Sequence, residues 1–155
     1  MSGFVGSRDD LNPYSRRFAD RLFATYPAWE AQSVREPWPN ADAGSFLVTL
    51  LSPAHPEREL WVGTDGGEIT VGFGKEWHDH HGGWTGASEE ESFGEALEQI
   101  QGILDERLIL AVGFRAGSAA ASTLIARGTE PKLGSGIERI EYYSWRGTYD
   151  SVIPA

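Results

Sequence analysis

Three of the four histidines in the chain lie in residues 76–84, together with two tryptophans. His78 and His80 are two residues apart, so in an extended segment both imidazoles point to the same side. Two imidazoles at this spacing, completed by a carboxylate from elsewhere, could bind zinc, nickel or iron. The alternative is a solvated loop after a strand, with the histidines paired to nearby acidic side chains. The sequence therefore leaves a divalent metal open and suggests no other cofactor.

The two tryptophans of this segment, Trp77 and Trp84, are separated from each other by the histidines and by Gly82 and Gly83. Glycines give the backbone freedom to bend, and aromatic side chains often provide most of the binding energy of a protein interface. We expect either an exposed contact surface or two rings that cover an edge of the core.

The negative charge of the chain is concentrated around this segment. Residues 57–106 contain 13 acidic and 2 basic residues, a net charge of −11, whereas residues 1–56 sum to −1 and residues 107–155 to +2. The total of −10 disfavours binding to nucleic acid, because the phosphate backbone is also negative. Such charge can serve solubility alone, or it can attract a basic protein partner.

We predict that the contacts with such a partner come from the aromatic, histidine and acidic side chains of residues 76–91. These residues are Trp77, His78, His80, Trp84, Glu89, Glu90 and Glu91. The three glutamates have a second possible role, because acidic side chains in the first turn of a helix complement its dipole.

Several classes of protein are disfavoured by the sequence. The chain contains no cysteine, which excludes disulfides, thiolate zinc sites and cysteine nucleophiles. Residues 1–8 lack the basic start and apolar run of a secretory signal, and the longest nearly apolar run, residues 108–114, is far shorter than the roughly 20 residues of a membrane span. No strong catalytic motif is present and no catalytic residue is predicted. We expect a cytoplasmic protein that does not bind membranes.

The sequence of the N-terminal half predicts one helix followed by strands. Residues 13–29 carry an apolar stripe at helical spacing, with Pro13 in the first turn and Pro27 as an interruption. Three strands are predicted at residues 45–51, 59–64 and 68–73. The last of these alternates apolar and polar residues, and a tight reversal at Asp65-Gly66-Gly67 separates it from the strand before it.

The C-terminal half begins with a second helix, at residues 88–106. Ser88 and Glu91 have the spacing of a capping box, and the apolar residues that follow form a regular helical stripe. Further strands are predicted at residues 107–114, 119–126 and 137–145, followed by a tail, residues 147–155. The expected fold is a single α+β domain of residues 1–155: an antiparallel sheet of about six strands with the N-terminal and central helices packed on one face.

Two pieces of the chain resemble small bacterial proteins of the type found as immunity proteins in polymorphic toxin systems. They are residues 68–74 (EITVGFG) with the following Trp77-His78-Asp79-His80, and residues 144–150 (SWRGTYD). This resemblance implies a cytosolic protein that neutralises a toxin by covering its active site. Such proteins are commonly acidic, and no catalytic residue is carried over.

The sequence therefore leaves three hypotheses open. The first is a non-enzymatic binding protein, such as an immunity protein, that neutralises a basic toxin through an acidic face bearing tryptophan and histidine. The second is a metal-binding protein or metal-dependent enzyme that uses His78 and His80. The third is a self-associating structural protein, for example a homodimer with tryptophans at its interface.

Overall fold

The structure, a computed structural model, describes residues 7–155. The first six residues, which belong to the segment judged not to be a secretory signal, lie outside this range. The two α-helices are α1 (Pro13–Thr25) and α2 (Glu89–Leu104). The nine strands of the described chain are β1 (Val34–Arg35), β2 (Phe46–Leu51), β3 (Glu59–Asp65), β4 (Glu68–Phe73), β5 (Trp77–Gly82), β6 (Leu108–Arg115), β7 (Ser118–Ala126), β8 (Arg139–Tyr143) and β9 (Ser151–Pro154).

The predicted α+β class is confirmed, but the prediction of one sheet of about six strands is wrong. The strands form two antiparallel sheets, with the orders β1-β2-β3-β4-β5 and β7-β6-β8-β9. The extra strands are β1, with two residues, β5, which contains the histidines, and β9, which arises from the predicted tail. Each of them is short or polar, so its pairing depends on a neighbouring strand more than on its own pattern. The position of the two helices on one face stays a prediction.

Helix α1 starts as predicted and ends four residues earlier. Asn12 caps it by accepting a hydrogen bond from the backbone N–H of Ser15 at 2.9 Å, and Pro13 occupies the first turn. The helix ends at Thr25 because Pro27 forces the preceding residue, Tyr26, out of helical conformation, to φ −127° and ψ 73°. A short 3-10 helix, Pro27–Gln32, follows.

The hairpin between β3 and β4 confirms the predicted reversal. Gly66 and Gly67 both have positive φ values, 58° and 75°, as a two-residue type I′ turn demands. The buried residues of β4 include Ile69 and Val71, the apolar side of the predicted alternation.

Helix α2 begins with the predicted capping box. The Ser88 backbone N–H donates to the Glu91 carboxylate at 2.7 Å, and the Glu91 backbone N–H donates to the Ser88 hydroxyl at 3.1 Å. The helix ends at Leu104, before the predicted end at residue 106. Glu106 has a φ of 60°, a left-handed conformation that no helix continues through.

Strand β6 lies between β7 and β8 in the four-stranded sheet. Its continuous apolar run predicts a strand that is covered on both faces. Five consecutive residues, from Ile109 to Gly113, are buried. The prediction of a final strand at residues 137–145 followed by a tail is wrong in part. Strand β8 covers only Arg139–Tyr143, and β9 pairs antiparallel to it, with Glu141 opposite Val152.

The chain divides into two compact units, each made of several stretches of sequence. Unit 1 consists of the described residues of Met1–Leu50 with Trp61–Val71 and Asp79–Glu98, and unit 2 of Leu51–Leu60, Gly72–His78 and Gln99–Ala155. The prediction of a single domain stays a prediction.

Each unit has its own packed apolar side chains. In unit 1, the Phe18 ring lies 5.3 Å from that of Phe93 and 6.3 Å from that of Phe46 between centroids. In unit 2, the Phe73 and Trp145 rings lie 6.3 Å apart. Burial of these rings supplies the hydrophobic stabilisation of each unit.

Among residues 7–155, no helix is long and apolar enough to cross a membrane.

Candidate functional site

The excess negative charge of the chain belongs to one of the two units. Unit 1 contains 14 acidic and 5 basic residues, a net charge of −9, and unit 2 contains 9 acidic and 8 basic residues, a net charge of −1. The acidic block of residues 57–106 is divided between the two units, and most of its charge, eight acidic residues and no basic one, belongs to unit 1.

The histidine segment is strand β5, so its interpretation as a solvated loop is wrong. Its pairing next to β4 in the five-stranded sheet brings His80 to two side chains of β4. The His80 Nδ1 atom lies 2.9 Å from the Thr70 hydroxyl oxygen and 3.0 Å from the Glu68 carboxylate. The backbone is therefore a strand and not a loop. His80 is nevertheless paired with an acidic side chain, as the loop interpretation predicted.

His81 is also surrounded by carboxylates, and it is buried, with 8% exposure. Its Nδ1 atom lies 3.6 Å from Glu95 and its Nε2 atom 3.9 Å from Asp79. Each nitrogen of this imidazole therefore has a carboxylate within ion-pair distance. His80 and His81 thus lie among three acidic side chains on unit 1.

The predicted metal ligands, His78 and His80, occupy β5, with His78 exposed and His80 half-buried. His78 belongs to unit 2 and His80 to unit 1. Within residues 7–155, no group of three or more histidine, aspartate or glutamate side chains is arranged to hold a metal ion. The metal hypothesis stays a prediction.

Of the two tryptophans, Trp84 is the exposed one. It lies in a short 3-10 helix, Gly83–Thr85, directly after β5, and 69% of it is exposed, whereas Trp77 is partly buried. The indole packs against the backbone at Gly82, where an added Cβ atom would lie 3.0 Å from the ring and 3.1 Å from the Glu68 Cβ atom. Glycine at this position lets the ring and Glu68 approach the same point, so the exposed ring has a defined position.

The glutamates predicted to contact a partner each have an internal partner in unit 1. Glu89 accepts two hydrogen bonds from Arg17, at 2.6 and 2.9 Å, and Glu90 accepts one from Arg21 at 2.5 Å. The bonds from Arg17 lower the pKa of Glu89. Glu90 keeps a side chain that is 80% exposed, so its ion pair leaves it accessible.

Glu91 is committed to the capping box of α2. The bond from the Ser88 backbone N–H lowers the pKa of this carboxyl. The helix-start role that the sequence offered for these glutamates is thus present in the structure, while their part in partner binding stays a prediction.

Tyr14 is a further polar group of unit 1 that sequence reasoning did not single out. Its hydroxyl is buried and makes no hydrogen bond within residues 7–155, and its ring meets that of Phe93 edge-on at 5.5 Å. Burial, and then the negative charges of Glu89 and Glu68, raise the pKa of this hydroxyl to about 12. Tyr14 therefore stays protonated at neutral pH.

Unit 2 contains a cleft of about 230 Å³ that no sequence pattern predicted. Side chains from two loops and two strands line it: Glu57, Arg58, Lys75, Glu76, Leu110 and Tyr143. The Tyr143 hydroxyl donates to Glu141, and burial and this bond raise its pKa. The Arg58 guanidinium lies 4.8 Å from the Tyr143 ring centre and 3.0 Å from Asp150. Charges of both signs thus meet in the cleft and largely compensate each other.

Residues 144–150, the second piece of the resemblance, are held inside unit 2 by Glu106. This side chain is 1% exposed and accepts hydrogen bonds from the backbone N–H groups of Arg146, at 2.7 Å, and Thr148, at 3.4 Å. Burial by itself raises the pKa of the Glu106 carboxyl, but the hydrogen bonds from Thr148, Arg146 and Ser144 outweigh it and the pKa is lowered. The segment therefore has a structural role in the loop that it forms.

The chemistry offered by unit 1 is ion pairing and apolar contact. It presents carboxylates, the half-buried imidazole of His80 and one exposed indole, a combination that suits recognition of a cationic surface.

No protein-family model matches the chain, and the searches of curated proteins and of solved structures found no significant match.

Proposed function

We propose that this protein is a non-enzymatic binding protein that engages a basic protein partner through the acidic, Trp84-bearing surface of unit 1. The observation that supports the proposal most strongly is the net charge of −9 on unit 1, combined with an indole that is 69% exposed. Charge alone serves solubility, and a single exposed apolar ring is common. Their combination in one unit fits an interface better than either feature alone.

Three carboxylates give this surface charge that a partner can reach. The side chains of Asp79, Glu90 and Glu95 are 50%, 80% and 60% exposed. Exposed charge of one sign accelerates the encounter with a surface of the opposite sign, and the rate falls as salt is added. A central aromatic side chain then slows dissociation, because its burial contributes much of the binding energy.

The partner class that we propose is a basic protein toxin, with this chain acting as its immunity protein in the cytoplasm. The support is the resemblance of residues 68–74 and 144–150 to immunity proteins, together with the acidity of unit 1. Neutralisation would follow from covering the toxin's active site.

The experiment begins by finding the partner through Trp84. A photo-reactive phenylalanine analogue is placed at position 84 in cells that produce the protein. The matched control places it at Leu51, a residue of unit 2 that is 58% exposed. A basic protein crosslinked from position 84 and not from position 51 supports the proposal. Equal crosslinking from both positions, or an acidic partner, contradicts it.

The identified complex then separates the aromatic from the electrostatic contribution. Trp84→Ala is expected to weaken binding by about 30-fold in Kd or more, as for an interface hot spot of about 2 kcal/mol. Leu51→Ala is expected to leave Kd unchanged.

Charge is tested with two double variants of equal net charge. Asp79→Asn with Glu95→Gln removes two negative charges from unit 1, and Glu59→Gln with Glu130→Gln removes two from unit 2. The first variant is expected to lower the association rate by roughly 10-fold at low salt and to flatten its salt dependence. The second is expected to change both only slightly. Equal effects of the two variants would place the electrostatic attraction outside unit 1.

A further inference from the structure

The two sheets have four edge strands, and three of these carry features that hinder pairing with another chain. Strand β1 has only two residues and is followed by Glu36 and Pro37. Strand β5 contains Asp79 among its histidines, and β9 has four residues and ends at Pro154. Short length, charge and proline are the usual means by which proteins protect exposed strand edges.

The fourth edge strand, β7, is neither short nor charged and has no proline, and its one irregularity, a register shift at Ala120, lies outside residues 121–126. It is nine residues long, with the sequence SAAASTLIA, and contains no charged residue and no proline. Within residues 7–155 it pairs with β6 alone, at the end of the four-stranded sheet. None of its own side chains therefore places a charge along its outer edge, and the Ser122 hydroxyl, which donates to the Glu76 carbonyl, is its contact with that acidic residue.

The register of β7 identifies which backbone groups face outward. Arg127 lies opposite Arg107 in the same register as Ala126 opposite Leu108, and its N–H donates to the Arg107 carbonyl at 2.8 Å. In an antiparallel pair, hydrogen-bonded positions alternate with positions whose groups point away. The backbone groups of Ser122, Leu124 and Ala126 therefore point away from β6.

A second contact supports this assignment. The carbonyl of Ala126 accepts hydrogen bonds from the backbone N–H of Thr129, at 3.0 Å, and from its hydroxyl, at 2.6 Å. That carbonyl thus points away from β6, and it is already satisfied. Ser122 and Leu124 each contribute one N–H and one C=O to the outer edge.

We propose that β7 is a dimerisation edge, at which a second copy of this chain pairs antiparallel with β7 about a two-fold axis at Thr123. Ser122 then lies opposite Leu124 of the partner subunit, and Leu124 opposite Ser122 of the partner subunit. Four backbone hydrogen bonds form, and two four-stranded sheets join into one of eight strands.

A second copy fits this edge better than a strand of different sequence for two reasons. Ser122 and Leu124 each offer one outward N–H and one outward C=O, so under two-fold symmetry every donor of one copy meets an acceptor of the other. In addition, β7 belongs to unit 2, whose net charge is −1, so two copies meet there without the repulsion that unit 1 would impose.

Under the proposed symmetry, Thr123 of one copy lies opposite Thr123 of the partner subunit. The two residues form no backbone hydrogen bonds with each other. Cα atoms at such positions are about 4.5 Å apart, which is within the range of a disulfide. Because the chain has no cysteine, any disulfide in a single-cysteine variant joins two molecules. Thr123→Cys is therefore expected to form a covalent dimer under mild oxidation.

Ala121→Cys is the matched control, because Ala121 lies two residues away on the same side of the strand. Under the proposed axis its two copies are about 14 Å apart, too far for a disulfide. Efficient crosslinking of the first variant and only background crosslinking of the second supports the proposal. Equal crosslinking of both, or crosslinking of the control alone, overturns it.

The unmodified chain provides the second measurement. In sedimentation equilibrium, its mass is expected to rise with concentration from 17.0 kDa towards twice that value. Thr123→Lys, which places two positive charges opposite each other, is expected to stay monomeric with an unchanged far-UV circular dichroism spectrum. If the unmodified chain stays monomeric at all concentrations, or if Thr123→Lys dimerises equally well, the proposal is wrong.

Discussion

The two units of this protein differ in where they place their charged side chains. Unit 1, with a net charge of −9, carries ion pairs at its surface, such as that between Arg17 and Glu89, whose side chains are 53% and 40% exposed. Unit 2, with a net charge of −1, buries a carboxylate, that of Glu106, and surrounds it with backbone donors.

This difference separates charges that stabilise the fold from charges that are available to a partner. Exposed ion pairs contribute little to stability, because water and salt screen them and the long side chains lose freedom. A buried carboxylate must be fully hydrogen-bonded, and the donors that satisfy it are left unpaired when it is removed. We therefore expect substitution of the buried carboxylate of Glu106 in unit 2 to affect stability, and substitution of exposed carboxylates in unit 1 to affect association.

The largest effect on stability is expected for Glu106→Ala. Its removal leaves the N–H groups of Arg146 and Thr148 without their acceptor, at a cost of about 3 kcal/mol in the free energy of unfolding. Urea denaturation measures this change in the free energy of unfolding. The control is Glu130→Ala, a substitution in an exposed loop, which is expected to change the free energy of unfolding by less than about 0.5 kcal/mol. Similar values for the two variants would show that burial does not distinguish these carboxylates.

The pH dependence of the same comparison tests the charge of Glu106. Its pKa is lowered in the folded state, so its contribution is present above the unfolded pKa of about 4.3 and is lost as the pH falls through the folded value. The difference in unfolding free energy between the unmodified chain and Glu106→Gln is therefore expected to shrink between pH 5 and the acid limit of folding. A difference that is constant with pH would mean that the carboxyl is not ionised in the folded protein.

An intermediate effect is expected for Ser88→Ala at the start of α2. The variant loses the hydroxyl that accepts the Glu91 N–H, and the loss of an N-cap costs about 1 kcal/mol. Ser88→Asp keeps an acceptor there and is expected to retain most of the stability. Thermal or urea unfolding distinguishes the two, and equal loss in both variants would assign the effect to something other than capping.

The smallest effect on stability is expected for Glu89→Gln, which removes the exposed ion pair with Arg17. The midpoint of urea unfolding is expected to move less than in Ser88→Ala, and any shift is expected to vanish at high salt. A shift as large as that of Glu106→Ala would remove the contrast between the two units.

The local elements of the fold were predicted well because their signals are short-range. Ser88 with Glu91, and Gly66 with Gly67, satisfy the requirements of a helix start and a tight turn within a few residues. The burial of β6 was also predicted, since a short continuous apolar run is typical of a strand that is covered on both faces. Strand β9 was missed, and β5 was left undecided between an extended segment and a loop, because polar or short segments become strands only through the neighbours that pair with them.

For the candidate site, the sequence determined the residue types: the tryptophans, the histidines and the excess of acidic side chains. The tertiary structure decided which of them are available. It exposed Trp84 and partly buried Trp77, and it gave Glu89 and Glu91 internal partners. It also collected separated stretches into one unit with a net charge of −9. The reason is physical: charge and side-chain type are properties of the chain, whereas exposure and pairing depend on residues far apart in sequence that folding brings together.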